Sequence, residues 1–188
     1  MAVICLVLFG FVYALAGTGV AQLFFKSQAN GSITANGSTL IGQNWTSPKY
    51  FHGRPDDTGP YAANAKNDVS GGDNPLVANG VGGESAATNL GPRSKTLLAD
   101  TKELVAYWHK LGVNPTPDLV TTSGSGYDPD ISQQDALVQI PMVSKARGIA
   151  PSVLRTLIVK ETHSAELGFL GTSYIDVLQL NEALAALH

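Results

Sequence analysis

MAVICLVLFGFVYALAGTGVAQLFF, residues 1–25, is the stretch whose reading decides the architecture. It contains no Asp, Glu, Lys, Arg or His. As a helix it would be about 37 Å long, more than the roughly 30 Å hydrocarbon core of a bilayer. Burying it within a 19.7 kDa protein would leave no face for the rest of the chain. Residues 1–25 are therefore read as a transmembrane helix solvated by membrane lipid, and residues 26–188 as one soluble domain. The rival is a secretory signal peptide, because Ala14-Leu15-Ala16 before Gly17 has the small-x-small form of a cleavage site. Two features favour retention: the apolar run continues through Phe25, and no basic residue precedes it. Lys26 is the nearest cation and lies on the carboxyl side; a single charge does not fix orientation.

Outward from this segment, composition excludes several functions. Charged residues make up 14% of the 188, against roughly 25% in ordinary soluble domains. A net charge of -3 without a basic stripe argues against a nucleic-acid partner. The single cysteine, Cys5, lies in the apolar segment, so neither an intrachain disulfide nor a cysteine metal cluster can form.

The remaining chain reads as an α+β domain with a small sheet, several helices and long Gly/Asn-rich loops. Asn30-Gly31 and Asn36-Gly37 predict tight turns just beyond the span, with Leu40 and Ile41 opening a first buried strand. Asn30, Asn36 and Asn44 begin Asn-x-Ser/Thr triplets, meaningful only in a eukaryotic secretory protein. From Gly42 to about Lys95 the composition is loop-like. Leu97, Leu98, Thr101, Leu104, Val105, Trp108 and Leu111 then recur at helical spacing, with Gly112 as the stop. Ser132 and Asp135 form a capping-box pattern for a second helix, closed by Gly148 and expected to kink or break at Pro141. Pro151 opens a third, burying Val153, Leu154, Leu157 and Ile158. Tyr174 to Val177 reads as a strand, and Leu178, Leu180, Leu184 and Leu187 as a final short helix.

No reactive constellation emerges. Ser123-Gly124-Ser125-Gly126-Tyr127 lacks the Gly-Lys-Ser/Thr of a P-loop, the third glycine of a dinucleotide fingerprint and the helix that follows a nucleophile elbow. His163 and Glu166 are three apart, but no HExxH zinc pattern exists, and no metal site is expected. His52, in Tyr50-Phe51-His52-Gly53-Arg54-Pro55, stands beside aromatic and Arg residues. Such a group either anchors a partner or folds a loop onto its own domain.

The order of several segments resembles the small C subunit of bacterial Kdp-type potassium-transporting ATPases along nearly the whole chain. They are Gln28-Ala29-Asn30-Gly31-Ser32, Leu40-Ile41-Gly42-Gln43, Tyr50 to Pro55, Asn89-Leu90-Gly91-Pro92, Asp118-Leu119-Val120-Thr121, Ser123 to Pro129, Ile131-Ser132, Gln139-Ile140-Pro141, Val143, Ala146-Arg147 and Leu167-Gly168-Phe169-Leu170-Gly171. The resemblance implies a non-catalytic accessory subunit of an ATP-driven, high-affinity potassium uptake complex. Its implied partners are the channel-like potassium-binding subunit and the ATP-hydrolysing subunit. It also implies a single-pass protein of the bacterial inner membrane with its soluble domain on the outer, periplasmic side. No firmly bound cofactor is implied. ATP enters through the partner subunit, whose affinity for it the family's C subunit is thought to raise, with Gln139 as the matching nucleotide-related residue. ATP does not reside outside the membrane, so assembly and stabilisation carry more weight than direct contact. Three departures stand out: no basic residues precede the span, the stretch from about Asp57 to Ala87 is expanded, and residues 175–181 only approximate the family pattern.

Partner contacts are expected at two places. Gly10, Ala14, Gly17 and Ala21 recur at helical spacing and suit close packing against another membrane helix, and Phe51, His52 and Arg54 form the candidate anchor of the soluble domain. Two other classes of function remain as alternatives: an exported, membrane-tethered hydrolase using the Ser123 to Ser125 loop, and a binding module holding a glycan or peptide in the Gly42 to Lys95 loops.

Overall fold

The computed structural model describes residues 1–43, 45, 47–55, 87, 89–126 and 128–187. Asn44, most of the expanded stretch from Asp57 to Ala87, Tyr127 and His188 lie outside the described residues. The chain divides into two compact units, Met1–Leu40 and Ile41–His188.

In the first unit, helix α1 (Ala2–Phe24) is 23 residues long and apolar enough to cross a membrane, and none of it is buried in protein. From Leu6 to Val12 its bonding widens to the i→i+5 pattern. Phe25 leaves helical geometry, and a single turn, α2 (Lys26–Ala29), follows. The Gln22 and Asn30 side-chain amides bond reciprocally at 3.1 and 3.2 Å. Ile33 pairs with Ser38 around the Asn36-Gly37 turn. The first strand expected at Leu40 and Ile41 does not form: both are about half exposed and neither pairs with another strand.

The second unit holds the core. Ser94 caps helix α3 (Lys95–Lys110), accepting from the Leu97 N–H, and Gly112 closes it in the left-handed region (φ 77°). Only Leu104 and Trp108 are buried along α3, whereas Leu98 is 56% exposed. The Trp108 indole N–H donates to the Leu119 carbonyl at 3.0 Å, tying α3 to the 3₁₀ turn Asp118–Val120.

Strand β1 (Asp130–Ile131) then leads into helix α4 (Gln133–Arg147). The expected capping box is present: Ser132 Oγ accepts from the Asp135 N–H, and Asp135 accepts from the Ser132 N–H at 2.9 Å. Thr116 Oγ1 also donates to Asp135. Pro141 does not break α4, which runs on to Gly148 (φ 71°). Pro151 opens helix α5 (Pro151–Lys160); of the residues expected to be buried there, Leu154, Leu157 and Ile158 are, while Val153 is 43% exposed. Strand β2 (Ile175–Asp176) pairs antiparallel with β1, Asp130 opposite Asp176 and Ile131 opposite Ile175. Asp176 caps helix α6 (Val177–Ala185), which buries Leu178, Leu180 and Leu184. α4 packs on α5, and α5 on α6. The outcome is the α+β architecture expected from the sequence.

Ser132→Ala removes an N-cap whose partner carboxylate is buried. It should lower the unfolding free energy by about 1–2 kcal/mol, read as a lower denaturation midpoint with an unchanged m value.

Candidate functional site

The Tyr50–Arg54 strap is held in the core by two side-chain amides. Asn181 of α6 accepts the Phe51 N–H at 2.8 Å and returns its own N–H to the Phe51 carbonyl at 2.8 Å. One residue on, Gln139 of α4 accepts the His52 N–H at 2.8 Å and donates to the His52 carbonyl at 3.0 Å. An amide side chain carries the same donor and acceptor pair as a peptide unit. Each therefore stands in for one residue of a neighbouring strand. Phe51, His52, Gln139 and Asn181 are all buried.

Aromatic and cationic contacts secure the strap on both sides. The His52 ring lies 5.6 Å from Trp108, and its Nε2 meets the Ser47 carbonyl at 3.0 Å, which makes Nε2 the protonated nitrogen. Burial depresses the His52 pKa to about 4, only partly offset by that bond. Tyr50 packs against Trp45 and under the Arg147 guanidinium, which also donates to the Lys49 and Leu184 carbonyls, each at 2.9 Å.

Arg54 ends the strap at an open cleft of about 180 Å³. Its guanidinium reaches the Thr121 and Thr122 carbonyls and lies 3.5 Å from Asp128. Asp118, Asp130 and Asp135 share the cleft. Burial first, then the neighbouring Asp128 and Asp176 carboxylates, push the Asp130 pKa up to about 6. Among the described residues no group of three His, Cys, Asp or Glu is arranged to hold a metal ion. The Ser123 and Ser125 hydroxyls lie 3.2 Å apart, and a hydroxyl of like acidity is no general base for its neighbour.

These positions differ from those expected for several sequence-predicted residues. Phe51 and His52 lie inside their own domain instead of on its surface, where a partner contact was expected, because their backbone groups find partners only there. Arg54 is turned inward on Thr121, Thr122 and Asp128. Gln139 does not fit a nucleotide contact: it is fully buried, and its oxygen and nitrogen are both engaged by His52. Asn181 was not singled out from the sequence; a lone Asn in an apolar helix was its only signal. Of the span residues, Ala14, Gly17 and Ala21 keep ordinary helical spacing, while Gly10 lies in the widened Leu6–Val12 stretch. A Cβ added at Gly10 or Gly17 meets nothing within 4 Å.

Among the described residues, one apolar helix long enough to cross a bilayer, followed by one small α+β unit, is consistent with the class of membrane-anchored proteins. The family model described as the K+-transporting ATPase, c chain (KdpC), matches residues 1–186. The potassium-transporting ATPase KdpC subunit of Caulobacter vibrioides is 42% identical, over 96% of this chain and 86% of that protein. Those of Gloeobacter violaceus and Rhodopseudomonas palustris are 41% and 44% identical, over 93% and 94% of this chain and 86% and 89% of theirs. The chain belongs to the KdpC family of potassium-transporting ATPase subunits.

Gln139→Leu leaves a buried N–H and carbonyl of His52 unmet and should cost about 2–6 kcal/mol of domain stability, from about 1–3 kcal/mol per group. Trp45 and Trp108 fluorescence during urea unfolding of the full chain reads the loss. The His52 pKa gives a second expectation. Native His52 stays neutral while the unfolded chain takes up a proton below 6.5, so its contribution is full above pH 6.5 and is lost as pH falls toward about 4. Asp130 works oppositely: raised from 3.8 to about 6, it is relieved of its charge as pH falls through that window. Asp130→Asn should therefore steepen the acid loss of stability, and His52→Leu should flatten it.

Proposed function

We propose that this chain is the non-catalytic accessory subunit of a high-affinity, ATP-driven potassium uptake complex, where it assembles or stabilises the channel-like and ATP-hydrolysing subunits. The observation that carries this reading is the family match over residues 1–186, which takes in the span and the α+β domain together. The name shared by the relatives, a subunit of a potassium-transporting ATPase, supports the same reading. The domain's polar side chains at the strap serve its own backbone, as suits a preformed module more than a reaction centre.

In this reading α1 packs against a larger membrane subunit through the face of Ala14, Gly17 and Ala21, with Gly10 contributing at the wider turn. Small residues let helix backbones approach closely in lipid, where apolar burial alone supplies no drive. The domain sits on the outer side of the inner membrane. Any rise in the catalytic subunit's ATP affinity then comes from the assembly it enforces, since Gln139 is committed to His52.

Deletion of the chain should abolish growth at very low potassium, and growth unchanged by deletion would refute the accessory role. Gly17→Leu should reduce co-purification of the ATPase subunits with the full chain in mild detergent, with the domain's thermal midpoint unchanged. Intact assembly in that variant would reject this helix face.

A further inference from the structure

We infer that the hairpin tip Leu167–Gly171 is the anchor by which the domain docks into an apolar, basic-rimmed pocket on another subunit of the ATPase. This rests on the subunit reading above and adds where the contact lies. Leu167 is 80% exposed, Phe169 74% and Leu170 50%, three large apolar side chains on five consecutive residues.

The tip is built, not merely left over. Glu166 and Leu170 exchange N–H to carbonyl bonds at 3.0 and 2.9 Å, and the Gly168 N–H reaches the Ala165 carbonyl at 3.0 Å. At the base, His163 and Tyr174 exchange bonds at 2.8 and 3.1 Å, and their rings stack with centroids 4.9 Å apart. Leu167 sits at φ 53°, a left-handed conformation that a bulky non-glycine side chain rarely adopts. Residues held in such sparsely populated conformations cluster at ligand clamps and other functional sites. A tip already in shape spares most of the ordering cost of association.

Charge selects the occupant. From Leu167 to Ile175 no residue carries charge at neutral pH. Thr172, Ser173 and Tyr174 run from the tip into the cleft that contains Asp118, Asp128 and Asp130. Among the described residues, Arg54, which lines this cleft, is paired with Asp128, and Lys160 is paired with Glu161. A lipid surface rich in anionic headgroups is held by exposed Lys and Arg, and the tip offers none. A second copy would set the same carboxylates against each other. A protein pocket, apolar at its centre and basic at its rim, answers both the leucines and the acids.

Placing the photo-reactive benzoylphenylalanine at position 169 of the full chain, in membranes that contain the whole ATPase, tests this. The expected result on irradiation is an adduct with another ATPase subunit. An adduct with lipid or with a second copy, or no adduct, overturns the proposal. Separately, Leu167→Ser combined with Phe169→Ser should weaken retention of the partner subunits about tenfold or more, as expected for loss of buried anchor residues. Val159→Ser, which removes another exposed apolar side chain, from α5, should not. If the unaltered chain itself fails to co-purify, the subunit reading falls. If it co-purifies and the double variant does so equally well, only the docking tip falls.

Discussion

Four hydrogen bonds between two side-chain amides and two consecutive backbone residues hold the domain's parts in place. The Phe51 and Asn181 pair joins residues 130 apart in sequence, and the His52 and Gln139 pair joins residues 87 apart. Each buried peptide group left unmet would cost about 1–3 kcal/mol, so the strap enters the core only if both amides are present. The Tyr50 N–H turns back locally on the Ser47 carbonyl, but the backbone groups of Phe51 and His52 are met by α6 and α4, and this ties the two helices to one segment.

Other features follow from that seating. With Phe51 and His52 fixed, Tyr50 lies within reach of Arg147, which bridges the strap and the end of α6 through the Lys49 and Leu184 carbonyls. On the other side Arg54 is delivered to Asp128 at the edge of the two-stranded sheet. Four aspartates line the cleft there beside one guanidinium already shared with two carbonyls, and burial, reinforced by the Asp128 and Asp176 carboxylates, raises the Asp130 pKa. The strap thus supplies the cleft's cation, while its carboxylates come from other segments. The strap's burial also keeps the His52 ring neutral, because an imidazolium enclosed against Trp108 would have lost its water.

How far the sequence revealed this depended on the range of the interaction concerned. Caps and stops are local, so Ser132 with Asp135, Pro151, Gly112 and Gly148 were legible, each serving backbone groups within a few residues. The span was legible because its length and lack of charge suffice. Leu40 and Ile41 misled: apolar character suggests a strand, but a strand needs a neighbour, and the described chain offers none there. Val153 and Leu98 misled in the same way, falling at helical spacing yet beyond the packed arc. Gln139 and Asn181 escaped notice as core residues because a polar side chain is buried only where a distant segment brings matching backbone groups. Pro141 suggested a kink or a break, and the helix runs on through it without a break.

Among the described residues, α1 and the Leu167–Gly171 tip are both exposed and apolar, and they call for different surroundings. α1 satisfies its backbone internally and is long enough for lipid to solvate all of it. The tip at Leu167, Phe169 and Leu170 is too small for that, at three side chains beside a row of carboxylates. Alone, such a contact falls well short of the roughly 1,200 Å² of a stable interface. The span changes this by confining the domain near any partner that shares the membrane, which converts a weak contact into an effectively intramolecular one. A tethered subunit can therefore rely on a small rigid anchor where a free protein would need a broad face. This is a physical reason for a strained, exposed hairpin to persist in a chain that also carries a membrane helix.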